Sequence, residues 1–548
     1  MRGLQRARLR QLATSRPLDL AVVGGGINGV AVARDAAMRG LSVAVFDKHD
    51  FGSGTSAWST RLMHGGLRYL ERGEFRLVRE SLHDRESLLR IAPHLVAPLP
   101  FVVPLYRHNH LPGTAFRLGM VLYDALSVGK SVPIHRKLNR KAVAAELPGL
   151  DTDGLTGALR YYDGQVPYAE RLVIDTLLAA GGAGARAMNY APVREIVVQG
   201  GRARGVRVRD DVDGAEAVVP ARVVVNAAGP WADDLVSAHG VERLIGGTKG
   251  THLVVDPFPG APGVAIYYEA RSDNRAVLLV PWNGRYLIGT TDDRYDGDLD
   301  SVAATPAEID YLLGETNQLI PEARLTRESV RFTYAGVRPL PYRASGDAGS
   351  IPRSHLIVEH EQASNVLSVV GGKLTPHLSL GTEVVDRAGQ LLERRLPPSP
   401  TRHVRLPGAP KGDWRVRARD LRARLPWPPE VNERLVEVYG GRAAELVDLA
   451  EADPALAELH GEGRGAVVAA EIALAVRDEA AIRLTDLLHR RTMVGMEPAL
   501  GADVAASVAA VAAPLLGWDD HRVEEELDRN RGYTRLRLQG GITPDRTS

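Results

Sequence analysis

The stretch "LAVVGGGINGVAVARDAAMRGLSVAVFD", residues 20–47, constrains the fold more than any other part of the chain. Four apolar residues lead into a glycine turn and a helical run. Gly40 stops that run, and a second apolar run ends in Asp47. The pattern predicts a strand, a helix and a parallel strand. "GGGING" places Gly24, Gly26 and Gly29 at the spacing G-x-G-x-x-G, with Asn28 inside the turn. Gly24 permits the tight turn, Gly26 lets the backbone approach a pyrophosphate, and Gly29 lets the helix pack closely on the strand. The helix N-terminus offers unpaired N–H groups and a partial positive charge to phosphates. Asp47 lies 21 positions after Gly26, close to the ~20 at which an acid meets a ribose hydroxyl. The stretch predicts a Rossmann-type dinucleotide site and by itself leaves NAD and FAD open.

A second glycine pattern, residues 182–187, follows the helical run "ERLVIDTLLAA" instead of a strand and so reads as a helix stop. One visible dinucleotide site favours one tightly held cofactor. The formal net charge of +1 gives no global basic field for nucleic acid. The chain has no Cys, which removes disulfides, thiolate nucleophiles, thiol-ligated zinc and iron–sulfur clusters together. "MRGLQRARLRQLATSRP" has arginines but no apolar core, so it is not a secretory signal, and cytoplasmic synthesis is expected. The uncharged apolar stretch 504–518 is Ala-rich, contains Pro514 and is shorter than the ~20 residues of a membrane span. It reads as a core helix.

A chain of 548 residues has room for two or three domains. Apolar strands such as "ARVVVNAAG", "THLVVD", "RAVLLVPW" and "RYLIGTTDD" alternate with helical runs through its middle. This predicts an α/β fold in which a Rossmann-type domain interleaves with a mixed-sheet substrate domain. The Pro- and Gly-rich passage "LPPSPTRHVRLPGAPKGDW" breaks that pattern, and from about Trp414 the chain turns helical. The expected organisation is a basic tail over 1–16, the interleaved region over 17–400 and an all-helical C-terminal cap over 401–548.

Further motifs follow in order. "STRLMHGGLRYLERGEFRLVRESLHDRESLLRIAPHL" comes first, then "YYDGQ" at Tyr161, "VNAAGPWADD" at Val225, "KGTHLVV" at Lys249, "IGTTD" at Ile288, "YAGVRPL" at Tyr334 and "SVVGGKLT" at Ser368. With the glycine stretch, they resemble the FAD-dependent glycerol-3-phosphate dehydrogenases of the D-amino-acid-oxidase-like flavoprotein superfamily. The resemblance is dense from Asp19 to about Leu380, and "RLTDLLHRRT" near the end resembles that family's C-terminal cap motif. It implies FAD as cofactor and oxidation of sn-glycerol 3-phosphate to dihydroxyacetone phosphate, with hydride passing to flavin N5. It also implies a quinone acceptor at the inner face of the cell membrane. An oxidase using oxygen, an amine or amino-acid oxidase, and a non-catalytic flavin-binding protein stand as alternatives.

The same resemblance assigns residues. Arg68 and Arg338 match positions that hold the substrate phosphate, whose charge guanidinium groups neutralise through paired hydrogen bonds, and Tyr69 adds a hydroxyl donor. Lys373 is expected beside the flavin, where an ammonium favours negative charge on the reduced ring. His64 is placed against the isoalloxazine, either to orient it or to accept the substrate hydroxyl proton. Thr55, Ser56, Ser59, Arg61 and Leu62 resemble flavin phosphate and ring contacts. Ala228 and Gly229 resemble the strand end under the cofactor, and Leu374 and Thr375 continue the turn after Lys373. The chain departs from the family where Pro376, His377 and Leu378 replace a Thr, an aromatic and an Arg. Pro376 suits a first helical turn, but the missing Arg puts a phosphate or cap contact in question. "VPYAERL" at Val166 also lacks two Asp that the family tends to show.

Arg2, Arg6, Arg8, Arg10 and Arg16 surround Leu4, Leu9 and Leu12. As a helix this segment would rest on an anionic leaflet, at about 1 kcal/mol per cation with the leucines in the interface; the alternative is a disordered tail. "AFRLGMVLYDAL" from Ala115 is a second candidate anchor. The expected partners are a phosphorylated small molecule, a quinone, the membrane surface and a second copy of the chain in a homodimer, with no nucleic acid and no metal.

Overall fold

The computed structural model describes residues 3–71, 73–346, 349 and 351–538, with the backbone alone for Arg68. The strand Leu18–Val23 lies at the centre of the first sheet, between Val43–Phe46 and Glu216–Asn226, and both neighbours run parallel to it. Arg186–Met188 and Ala363–Val370 extend the parallel run on either side, and Leu356–His360 closes one edge antiparallel. A parallel sheet is covered on both faces, which is why these strands are continuous apolar runs; Leu20, Val22, Val45, Val223 and Val225 are all buried. The helix Ile27–Met38 packs on this sheet between the helices Ala169–Gly182 and His377–Leu391. It ends as its glycine predicts, with Gly40 in the left-handed region at φ 81°.

The second sheet is mixed. Thr248–Val255, Arg285–Gly289, Ala276–Trp282 and Val330–Arg338 form one wing, and Ala97–Tyr106 with Leu155–Gln165 forms the other. The chain crosses between the two sheets several times, so the halves interleave and a cavity opens where they meet. From Trp414 to Arg535 the structure is helical except for a short antiparallel ladder of Leu459–His460 with Val467–Val468, so the expected all-helical cap carries one small sheet. Buried charges join this helical region to the rest. Arg490 and Arg491 meet Asp50 at 2.5 and 2.8 Å, and Arg171 meets Glu479 at 2.7 Å. Charges are tolerated at such depth only when paired.

The N-terminal segment corrects the sequence reading. Arg2 lies outside the described residues. Leu9 and Leu12, on the short helix Leu9–Thr14, are 3% and 1% exposed and pack on the strand Glu216–Asn226. Leu4 is buried and bridges to Glu479, while Arg6 pairs with Asp210 at 2.7 Å. The sheet face needed a cover, and these leucines supply it, so they cannot dip into a lipid interface. The 504–518 stretch forms the helix Ala505–Leu516, with Val508, Ala509 and Ala512 buried. The second candidate anchor is different. The helix Gly113–Leu126 buries Phe116, Met120 and Tyr123 but leaves Leu118 72% and Val121 55% exposed. Val128 and Ile134 beyond it are also exposed. Among the described residues no helix is long and apolar enough to cross a membrane.

Leu12→Ala should therefore behave as a core truncation, lowering unfolding stability by about 2–5 kcal/mol. Denaturant unfolding measures it, and a change below about 0.5 kcal/mol, the range of an exposed position, would return the segment to the surface.

Candidate active site

The cavity between the two sheets has a volume of about 1310 Å³, above the ~300–1,000 Å³ of a site for one drug-sized molecule and large enough for a dinucleotide with a substrate beside it. Its dinucleotide end is built by the glycine turn. Gly24 has φ 101°, and a Cβ there would lie 2.4 Å from the Ala227 carbonyl oxygen. At Gly29 a Cβ would lie 1.9 Å from the Gly24 carbonyl oxygen, whereas at Gly26 it would meet Ser56 Oγ at 3.2 Å. Gly24 and Gly29 therefore hold the turn together, and Gly26 lines the cavity. Ser56 Oγ accepts from the Ile27 amide at 3.0 Å, at the helix N-terminus where phosphates are favoured. Asp47 accepts from the Gly25 amide at 2.6 Å and the His49 amide at 2.8 Å. Burial pushes its carboxyl up against those two bonds. Asn28 Oδ1 is buried with no hydrogen-bond partner among the described residues, beside Gly372, where a Cβ would lie 2.4 Å from Asn28 Nδ2. Ala228 and Gly229, the latter at φ 59°, complete this end. A glycine cradle, a ribose-type acid and an orphaned amide oxygen fit a bound FAD.

At the other end, "MHGGLRY" turns from the strand Leu62–Met63 into the helix Leu67–Glu71. The His64 amide donates to Thr375 Oγ1 at 3.1 Å. Gly66 has φ 79°, and a Cβ there would lie 2.0 Å from the Tyr69 ring, which folds back over the turn. Lys373 Nζ stands 3.4 Å from the centroid of that ring, a cation–π contact. It comes from the turn Gly371–Gly372, both at positive φ, after the strand Ala363–Val370. Burial, and then the Lys373 charge, lower the His64 pKa to about 4, so its imidazole is neutral. The Arg68 side chain lies outside the described residues, although its backbone sits in this helix.

Arg338 ends the strand Val330–Arg338. Its Nη1 donates to Asp292 Oδ1 at 3.0 Å and its Nη2 to Thr290 Oγ1 at 2.9 Å. Arg353 Nη2 donates to the other Asp292 oxygen at 2.5 Å. Burial pushes the Asp292 carboxyl up, but the two guanidiniums more than offset this and hold it below the usual range. Two guanidiniums thus converge on one carboxylate at the cavity wall. Sequence reasoning missed Arg353, which lies in no motif, and gave no role to Asp292, although "IGTTD" ends on it. It also missed His252 of "KGTHLVV", which lines the cavity, contacts Thr60 Oγ1 at 2.8 Å and stacks on Tyr334 at 4.8 Å. Burial, with Arg338 and Arg61, lowers the His252 pKa to about 3.

One assignment fails. The Arg61 guanidinium turns inward to Glu170, with bonds of 2.7 and 2.8 Å, and both side chains are buried, so it is not offered to a flavin. Thr55, Ser59, Leu62, Leu374 and Thr375 line the cavity; the Thr55 hydroxyl donates to the Val337 carbonyl at 2.7 Å and Ser59 Oγ accepts from the Arg61 amide at 3.2 Å. Leu378, where the family has Arg, is buried in the nucleotide-domain core and does not line the cavity. That departure leaves the cationic wall untouched. The other departure is filled from the cap, with the Arg464 guanidinium donating to the Tyr168 hydroxyl at 3.0 Å.

Residues 19–378 match the family described as FAD dependent oxidoreductase, and residues 399–523 match the C-terminal domain of alpha-glycerophosphate oxidase. A protein of Synechocystis sp. named glycerol-3-phosphate dehydrogenase is 42% identical over 530 residues, covering 94% of this chain and 96% of that one. A D-erythritol 1-phosphate dehydrogenase of Brucella abortus is 36% identical over 495 residues, covering 88% and 95%. The crystal structure of a Bacillus halodurans glycerol-3-phosphate dehydrogenase complexed with FAD superposes with a TM-score of 0.78 at 25% identity, over 97% of each chain.

Asp47→Ala removes the acceptor of the Gly25 and His49 amides beside the glycine turn. Losing such bonds costs about 1–3 kcal/mol, so FAD should be retained at least ~10-fold more weakly. Fluorescence titration of the apoprotein with FAD measures this, and an unchanged dissociation constant would remove Asp47 from the site.

Proposed function

This chain belongs to the FAD-dependent glycerol-3-phosphate dehydrogenase family, and we infer that it oxidises sn-glycerol 3-phosphate at its secondary alcohol to dihydroxyacetone phosphate. The observation that carries this reading is a single cavity with an FAD cradle at one end and, at the other, a neutral His64 among Lys373, Arg338 and Arg353. FAD bound in that cradle would supply, at flavin N5, the acceptor for the hydride leaving carbon 2. Arg338, with Arg68, binds the phosphate; Asp292 and Thr290 hold the Arg338 fork so that its direction is set before substrate arrives. Tyr69 closes the pocket over the turn. His64 accepts the hydroxyl proton. Its lowered pKa comes from burial and from Lys373, and an arriving phosphate dianion opposes the second cause. Lys373 keeps a positive charge beside the ring, where electrons accumulate.

The electrons then pass to a quinone at the membrane. Support for that step has moved from the N-terminal leucines to the helix Gly113–Leu126. Exposed Leu118, Val121, Val128 and Ile134 share the segment 117–140 with exposed Arg117, Arg136, Lys137 and Arg140, a mixture suited to the interface of an anionic leaflet. Oxygen is the rival acceptor, since the cap resembles a domain named for an oxidase. Erythritol 1-phosphate is the rival substrate, favoured by the Brucella relative.

Anaerobic addition of glycerol 3-phosphate to the purified protein should bleach the flavin, with a higher kcat/KM than erythritol 1-phosphate. A soluble quinone analogue should reoxidise it faster than oxygen does. No bleaching, or hydrogen peroxide formed in proportion to substrate consumed, would overturn the dehydrogenase reading. Arg338→Ala leaves Asp292 to Arg353 and removes the phosphate clamp. Losing one partner of a buried charge pair costs about 2–5 kcal/mol, so kcat/KM should fall at least ~10-fold; unchanged kinetics would take Arg338 out of the site.

A further inference from the structure

Asp163 of "YYDGQ" takes no part in the chemistry above, yet it lies under the catalytic turn. It is 2% exposed, and Arg85 and Tyr123 beside it are each 1% exposed. Arg85 Nη1 donates to Asp163 Oδ1 at 2.6 Å, and the Tyr123 hydroxyl donates to the same carboxylate at 2.8 Å to each oxygen. The Gly65 amide in turn donates to the Tyr123 hydroxyl at 2.8 Å. These groups come from three elements: the helix Phe75–Ile91, the strand Leu155–Gln165 and the helix Gly113–Leu126.

We propose that Tyr123, oriented by Asp163 and Arg85, positions His64 by fixing the peptide unit that follows it. The amide of His64 is held by Thr375 Oγ1 at 3.1 Å and the next amide, that of Gly65, by Tyr123. Two consecutive amides are thus pinned by different elements, and the His64 side chain leaves the backbone between them. The carboxylate commits the Tyr123 proton to itself, so the hydroxyl oxygen presents a lone pair to Gly65. Burial pushes the Asp163 carboxyl up, and the Arg85 charge opposes that rise. The fit is tight: a Cβ on Gly65 would lie 2.7 Å from the Tyr123 hydroxyl and 2.8 Å from Leu82 Cδ2. The first glycine of "HGG" is therefore required by Tyr123, as the second is by Tyr69. Tyr123 and Asp163 are positioning residues, acting through His64.

The inference rests on His64 as the proton acceptor, and its test separates the two. Tyr123→Phe keeps the ring and removes the hydroxyl; Asp163→Asn keeps the shape and removes the charge. In both, hydrogen exchange of the peptide spanning residues 62–67, followed by mass spectrometry on the holoenzyme, should speed up at the Gly65 amide by about tenfold or more, as expected when a buried amide loses its acceptor. The limiting rate of anaerobic flavin reduction by glycerol 3-phosphate should fall by about tenfold or more, because small misplacements of a reacting group cost that much, with half-saturation within about twofold of the wild type. Phe116→Leu, on the same helix, should lower the melting temperature without either effect. Unchanged Gly65 exchange in Tyr123→Phe overturns the inference whatever the substrate proves to be. So does faster exchange with an unaltered reduction rate. A wild-type flavin that glycerol 3-phosphate does not bleach, with exchange altered as expected, overturns the functional reading instead.

Discussion

The whole nucleotide half hangs on one contact in which no side chain takes part. The Gly29 Cα sits so close to the Gly24 carbonyl that a methyl group would lie 1.9 Å from the oxygen. That approach lets the helix Ile27–Met38 lie flat on the strand Leu18–Val23 while its N-terminus opens into the cavity. The neighbouring strands then take their register from Leu18–Val23, with Leu20 opposite both Val43 and Val223. Their ends carry Asp47 and Ala228 to the same opening. A bulkier residue at Gly29 would lift the helix, and its N-terminus, Asp47 and the strand end at Ala228 would no longer face one another.

Charge is arranged in this molecule by depth. Deep pairs such as Arg61 with Glu170 and Arg434 with Glu471 are matched, fully buried and turned away from the cavity. At the cavity wall Arg338 and Arg353 converge on one Asp292. A buried guanidinium needs a partner, and under the proposed function one at the wall can share its pairing with an anionic substrate. The cap joins the same scheme from behind. Arg490 and Arg491 hold Asp50, three residues beyond Asp47, while the Asp47 amide and carbonyl bond to Met188 and Ala191. The helical region thereby braces the loop that carries Asp47, which gives "RLTDLLHRRT" a physical role beside the glycine turn.

Much of this was legible in the sequence wherever the chemistry is local. The turn at Gly24, the stop at Gly40 and the turn Gly371–Gly372 follow from backbone freedom, and the spacing to Asp47 follows from the length of one helix and one strand. His64, Tyr69, Lys373 and Arg338 were reached through motif resemblance, and the structure brings them to one cavity. What stayed hidden depends on partners distant in sequence. Arg61 stands in the right stretch for a flavin contact, yet Glu170, 109 positions away, takes its guanidinium. Arg353 joins the cationic wall through Asp292, 61 positions away, with no local signal. The doubt over Leu378 had the same origin. Sequence could show that an Arg is absent but not that this helix face points into the apolar core.

The two candidate anchor segments show the same limit most plainly. The first sixteen residues mix arginines with leucines, and the passage from Ala115 is apolar with a single arginine, Arg117; the sequence alone cannot say what covers the apolar face. Leu9 and Leu12 are covered by the chain's own sheet, and Arg6 by Asp210. Leu118 and Val121 are not covered by any described residue to the same degree, because the opposite face of their helix is already committed to the core through Phe116, Met120 and Tyr123. A helix has one inward face. Once Tyr123 is drawn in to meet Asp163 and Gly65, the period of the helix turns Leu118 and Val121 outward. The exposed apolar surface is therefore a geometric consequence of drawing Tyr123 inward, and the proposed membrane-facing patch shares one short helix with the residue proposed to position His64.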